Sequence, residues 1–137
     1  MLKLKIYTDG GARGNPGPAA IGIVVCDEYG EIIFTHQDTI GIATNNTAEY
    51  CALIAGLELA KRFKAAHVEC YTDSELMKNQ LCGNFKIKAE HIKTLYERAK
   101  QIAENFKSVT YHHQPRETPL IREADKLVNS ALDGKSG

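Results

Sequence analysis

The order of patterned segments in this 137-residue sequence predicts an α/β or α+β sandwich built on one mixed sheet. Residues 2–37 hold three β-type segments, the last two joined by a tight turn signal. From residue 47 onward, apolar stripes at helical spacing alternate with two further short β-type runs. The resulting order βββαβααβα puts antiparallel strands first and helical crossovers afterwards, so helices pack on the sheet.

Leu2, Leu4 and Ile6 alternate with Lys3, Lys5 and Tyr7, which predicts a first strand ending at Asp9. The loop that follows, Thr8 to Pro18, spends six of eleven positions on glycine or proline. Ala20–Cys26 and Glu31–Gln37 flank the turn Asp27-Glu28-Tyr29-Gly30 and predict a hairpin. Across Thr47–Lys64 the period becomes helical, with Leu53, Leu57 and Ala60 in a stripe beside Ile54 and Leu59, and Thr47 is the expected cap. Val68–Thr72 predicts a strand, and Ser74–Leu81 a helix stopped by Gly83-Asn84. Lys88–Asn105 predicts a longer amphipathic helix and Ser108–His113 the last strand. After the proline-bearing loop Gln114–Leu120, a final helix Arg122–Leu132 turns Ala124, Leu127, Val128 and Ala131 inward, and the polar tail Asp133–Gly137 is expected to fray.

An apolar fraction of 43% and a charged fraction of 25% are ordinary for a globular chain, and the length suits one domain over residues 1–132. The formal net charge is zero, so phosphate binding must come from local groups rather than long-range attraction. Cys26, Cys51, Cys70 and Cys82 form no C-x-x-C pair and are expected to be reduced and structural. Lys3 and Lys5 interrupt the first apolar segment, and no apolar run reaches membrane-spanning length. A cytoplasmic monomer without a membrane partner is expected.

Chemistry enters through a local echo, "IYTDG" at Ile6 to Gly10 and "CYTDS" at Cys70 to Ser74. Two adjacent parallel strands would bring Asp9 and Asp73 together at the sheet edge where α/β proteins bind ligands. Converging carboxylates repel unless a cation or shared proton intervenes. Oxygen-only ligands suit Mg²⁺ or Mn²⁺, and no histidine or cysteine pair has zinc spacing. Each acid has a plainer explanation as well, and for Asp73, just before a helix, capping is a serious one. Glu49, early in an apolar helix, and Asp125, early in the last one, are further candidates, with Glu117 and Glu123 competing for the latter role.

The strings "YTDGGARGNPGPAAIGIV", "TNNTAEYCALIAGLELA", "CYTDSELMKNQLCG" and "READKLVNSAL", in that order across nearly the whole chain, resemble type 1 ribonuclease H. The resemblance implies the ribonuclease H fold, a five-stranded mixed sheet with three antiparallel strands followed by two parallel ones. It implies hydrolysis of the RNA strand of RNA/DNA hybrids, leaving 5′-phosphate and 3′-hydroxyl ends, and a four-carboxylate centre of Asp9, Glu49, Asp73 and Asp125. Two Mg²⁺ ions, with Mn²⁺ as substitute, would lie about 3.5 to 4 Å apart, Asp9 holding both, Glu49 and Asp73 one, and Asp125 the other. Asn15, Asn45 and Asn46 match positions that contact the hybrid across its minor groove, where the 2′-hydroxyl distinguishes RNA. Gly10, Gly11, Ala12, Thr44, Ser74 and Glu75 are neighbouring substrate-binding candidates.

Two departures from the family pattern stand out. The connection "CGNFKIKAEHIK" leaves no room for the basic protrusion many members carry, so Lys86, Lys88 and Lys93 are a local substitute or plain surface. His113, in "HQPRE", matches a histidine thought to assist catalysis, but its spacing to Asp125 is two residues longer than usual, and Arg116 or His112 could take the role. Rival readings are a phosphotransferase of the actin and sugar-kinase type, a catalytically weak hybrid-binding module, and a broader nuclease acting on double-stranded RNA. The first fails on length, and "GKS" at Gly134 to Ser136 lacks the upstream glycine of a P-loop, Asn129 standing there.

Overall fold

The computed structural model describes residues 2–134. Five strands, β1 (Lys3–Ala12), β2 (Gly17–Cys26), β3 (Ile32–Ala43), β4 (His67–Thr72) and β5 (Ser108–His113), form one sheet in the order β3-β2-β1-β4-β5. The pairs β1–β2 and β2–β3 are antiparallel, while β1–β4 and β4–β5 are parallel. Four helices, α1 (Asn45–Arg62), α2 (Glu75–Leu81), α3 (Glu90–Ala103) and α4 (Pro119–Leu132), complete the fold.

Alternation within the strands divides the core between the two sheet faces. Leu4, Ile6, Ile23, Val25 and Val68 meet Leu53 and Leu57 of α1 and Ile92 and Ile102 of α3. Tyr7, Val24 and Cys26, one residue out of phase, meet Ile121 and Ala124 of α4 on the other face. The four cysteines are free, and no helix among the described residues is long and apolar enough to cross a membrane.

Several boundaries differ from those expected. β1 does not end at Asp9 but runs to Ala12, because Gly10 and Gly11 keep their ladder to Ile21 and Ala20 even without side chains. The hairpin turn shrinks accordingly to residues 13–16, and the Arg13 amide donates to the Pro18 carbonyl at 2.8 Å. β3 continues past Gln37 to Ala43. The α1 cap is Thr44 rather than Thr47: its hydroxyl accepts from the Thr47 amide at 3.2 Å. α4 starts at Pro119, a residue suited to a first helical turn, instead of Arg122. Of the tail expected to fray, residues 135–137 lie outside the described residues.

Candidate active site

The two echoing strings fall in register. Ile6 pairs with Cys70 and Tyr7 with Tyr71 on the parallel strands β1 and β4, so Asp9 and Asp73 each stand two residues beyond the same rung. Asp9 also remains paired to Gly22 of β2, which leaves it inside the sheet on one side and at a crevice on the other.

Two close backbone approaches bring further acids to that crevice. A Cβ on Gly10 would strike the Ala48 carbonyl, so only glycine lets α1 lie this close, and the Gly10 amide donates to Glu49 Oε1 at 2.9 Å. On the opposite face, a Cβ on Gly22 would strike the Ala124 carbonyl of α4. Asp125, the next residue, thereby reaches the same cleft as Asp9. Both acid-bearing helices are thus seated on glycines at or beside the Asp9 rung.

The cleft has a volume of about 380 Å³ and is lined by Asp9, Glu49, Asp73 and Asp125 together with Gly10, Gly11, Ala12 and Asn45. One carboxylate oxygen from each of Asp9, Glu49 and Asp73 lies within 4.8 Å of the others. Asp9 is only 6% exposed, and burial pushes its carboxyl up to about 8, with Asp73 and Asp125 adding to it and Arg116 opposing. Glu49 is raised well above the usual range, first by burial and then by Asp9 and Asp73, while the Gly10 amide favours its charged form. Carboxyls held this close retain protons until a cation takes their place.

Asn15 and Asn45 stitch the hairpin to α1. The Asn45 amide donates to Asn15 Oδ1 and the Ala12 amide to Asn45 Oδ1, both at 2.9 Å. Thr44 and Ser74 act as caps of α1 and α2 through their hydroxyls, and Glu75 opens α2. Asn46, half-buried in the first turn of α1, and Ser74 and Glu75 are not among the residues lining the cleft. Nor is His113, which is exposed at the end of β5. His112 points its ring at Tyr71, with centroids 5.0 Å apart, and its Nε2 lies 2.8 Å from Thr110 Oγ1. Arg116 is the residue of that loop which enters the cleft, its Nε 3.7 Å from Asp73 Oδ2.

Val128, Asn129 and Leu132 also line the cleft and were missed from sequence. Their spacing from Asp125, at i+3, i+4 and i+7, is the signal that would have found them. Arg13 lines it too, bound to Asp133 at 2.8 Å and to Asn129 Oδ1 at 3.5 Å. Of the three lysines singled out, Lys86 and Lys93 line a separate groove of about 510 Å³ with Phe85, Ile87 and Tyr96.

A family described as reverse transcriptase-like matches residues 7–131. Ribonuclease HI of Halobacterium salinarum is 42% identical over 131 residues, covering 96% of this chain and 65% of that protein. A bifunctional protein of Mycobacterium tuberculosis is 39% identical over 133 residues, covering 96% of this chain but 36% of that protein. The chain thus spans 36% to 65% of the length of these curated relatives. Among solved structures, ribonuclease H1 of H. salinarum superposes with a TM-score of 0.93 at 42% identity, covering 96% of this chain and 98% of that one. The LC11 ribonuclease H1 in complex with an RNA/DNA hybrid gives 0.90 at 41% identity, covering 96% and 97%.

Proposed function

Because the chain belongs to the type 1 ribonuclease H family, we propose that it is an endoribonuclease hydrolysing the RNA strand of RNA/DNA hybrids, with residues 1–132 as its catalytic domain. The observation that carries this reading is the convergence of Asp9, Glu49, Asp73 and Asp125 on one cleft just beyond the last rung shared by β1 and β4. Hybrid binding is supported by the similar LC11 enzyme, whose structure holds an RNA/DNA hybrid.

The donor set fits hard divalent cations: crowded carboxylate oxygens, two of them on side chains whose charge is suppressed by burial and by one another. Mg²⁺ is the natural occupant, with Mn²⁺ as substitute. Asp9, Glu49 and Asp73, whose carboxylate oxygens crowd together, and Asp125 in the same cleft would hold such cations. When bound, such ions acidify water and neutralise charge building on the phosphate, chemistry that leaves 5′-phosphate and 3′-hydroxyl ends.

The chain's own groups orient the site. The Gly10 amide fixes the rotamer of Glu49, and the Asn15–Asn45 stitch holds amide groups where a minor groove with its 2′-hydroxyls can lie. Arg116 presents a guanidinium beside Asp73, suited to a phosphate oxygen on the reacting strand.

The test is a panel of labelled RNA/DNA, RNA/RNA and DNA/DNA duplexes incubated with chelator, Mg²⁺ or Mn²⁺. Cleavage of the RNA strand of the hybrid, dependent on metal, is expected. Comparable cleavage of DNA/DNA would overturn the substrate assignment, and full activity in chelator would overturn the metal site.

A further inference from the structure

We propose that Arg13 binds a phosphate of the substrate backbone away from the bond being cut, and that Asp133 occupies its guanidinium as an internal stand-in until substrate arrives. This deepens, and rests on, the reading of the cleft as a site for RNA/DNA hybrids.

Charge balance motivates the proposal. The chain carries 17 basic and 17 acidic residues, so no overall field draws in a polyanion. The cleft itself presents four carboxylates, and among the described residues lining it only Arg13 and Arg116 are cationic. Arg116 lies beside Asp73, its Nε 3.7 Å from Oδ2, and its charge is directed at the carboxylate cluster. Arg13 is the remaining cation, at the β1–β2 hairpin turn, where its amide is fastened to the Pro18 carbonyl and its neighbour Ala12 to Asn45.

Its present partners have the chemistry of a phosphate. One guanidinium nitrogen meets Asp133 Oδ1 at 2.8 Å and another meets Asn129 Oδ1 at 3.5 Å, a two-pronged grip on oxygen acceptors that phosphate also satisfies. Both side chains of the ion pair are more than two-fifths exposed, at 49% and 43%, so the pair adds little to the fold and exchanges readily for a stronger anion.

Position completes the case. Asp125, Asn129 and Asp133 follow one another at four-residue intervals on one face of α4 and its cap, and the Asn129 side-chain amide donates to the Asp125 carbonyl at 3.1 Å. Asp133 therefore lies about 12 Å along the helix from Asp125. A phosphate replacing it is bound remotely from the scissile one, so Arg13 acts on affinity rather than on the chemical step.

The experiment measures binding of a labelled RNA/DNA hybrid by anisotropy over a range of salt in an Asp9→Asn background, adding Arg13→Ala, Asp133→Asn or both. Arg13→Ala is expected to weaken binding several-fold and to reduce the salt slope by about one. Asp133→Asn is expected to tighten binding several-fold, and that gain is expected to vanish when Arg13 is already alanine. Unchanged affinity and slope in Arg13→Ala would overturn the proposal. So would an equal gain from Asp133→Asn with and without Arg13, since Asp133 would then merely repel the substrate. A parent protein that binds no hybrid would instead overturn the functional reading, and thermal unfolding of each variant checks that all are folded.

Discussion

Tyr7 and Tyr71 face each other across the last rung shared by β1 and β4, their rings stacked at 4.6 Å and 12° from parallel. His112 of β5 extends the stack from the other side of Tyr71. The stack lies one alternation before Asp9 and Asp73 and packs against the last rung of the ladder that presents them. Tyr71→Ala is expected to cost on the order of 1–3 kcal/mol of stability, below a fully buried aromatic because Tyr71 is only half-buried. It should also lower kcat more than it raises KM. Tyr71→Phe, which loses only the hydrogen bond to Glu69 at 2.7 Å, should cost about 1 kcal/mol and keep most activity. Urea unfolding and steady-state kinetics on both variants separate the two contributions.

The acid cluster makes the metal-free protein sensitive to pH in a defined direction. The Asp9 carboxyl titrates near 8 in the folded chain against an ordinary value of 3.8, so its contribution to stability is complete below about pH 4 and lost as pH rises through 8. Glu49 acts in the same sense. Stability in chelator should therefore fall between pH 4 and 8, and saturating Mg²⁺ should flatten the profile while releasing protons on binding. Asp9→Asn should make it shallower without metal, the buried Glu49 still contributing, and abolish cleavage. A metal-free stability that climbs over that interval would sink the electrostatic account.

Gly10→Ala should damage activity more than fold. The added methyl meets the Ala48 carbonyl, and α1 must move away from β1. Overpacking of this kind costs about 1–3 kcal/mol. Displacing Glu49 by even an ångström is expected to reduce kcat on the order of a hundred-fold. Gly22→Ala, against the Ala124 carbonyl, should behave alike through Asp125. Retention of full activity by both would show that the helices need not sit so close.

Arg116 and His113 can be told apart by substitution. Arg116 lines the cleft beside Asp73, whereas His113 is exposed outside it. Arg116→Ala is expected to lower kcat by roughly ten- to a hundred-fold, as loss of a group stabilising phosphate charge does. His113→Ala should stay within about two-fold of the parent. The reverse ranking would return the helper role to the histidine.

The order of the elements and the approach of Asp9 to Asp73 were legible because alternation and the repeated Tyr-Thr-Asp string are local signals that parallel pairing translates directly into proximity. Without the family resemblance, Glu49 and Asp125 were visible only as acids near helix starts. Position along a helix does not say which strand the helix crosses, and the docking depends on Gly10 and Gly22, whose role is an absent side chain. The extension of β1 through Gly11 and Ala12 was hidden for a related reason: glycine reads as a loop, although its backbone ladders normally. That Arg116 lines the cleft while His113 does not was hidden because the loop is longer than the family pattern, so sequence spacing does not fix which side chain turns inward.

Since β1 is the central strand of the five, flanked on both sides by paired neighbours, Asp9 is expected to belong to the part of the molecule that separates last when the chain comes apart. Hydrogen exchange at the Gly10 amide, which is held by Glu49, should follow global unfolding rather than local opening, and metal should slow it further. Fold and candidate site are then expected to behave as one cooperative unit, and heat or denaturant should remove both in a single transition.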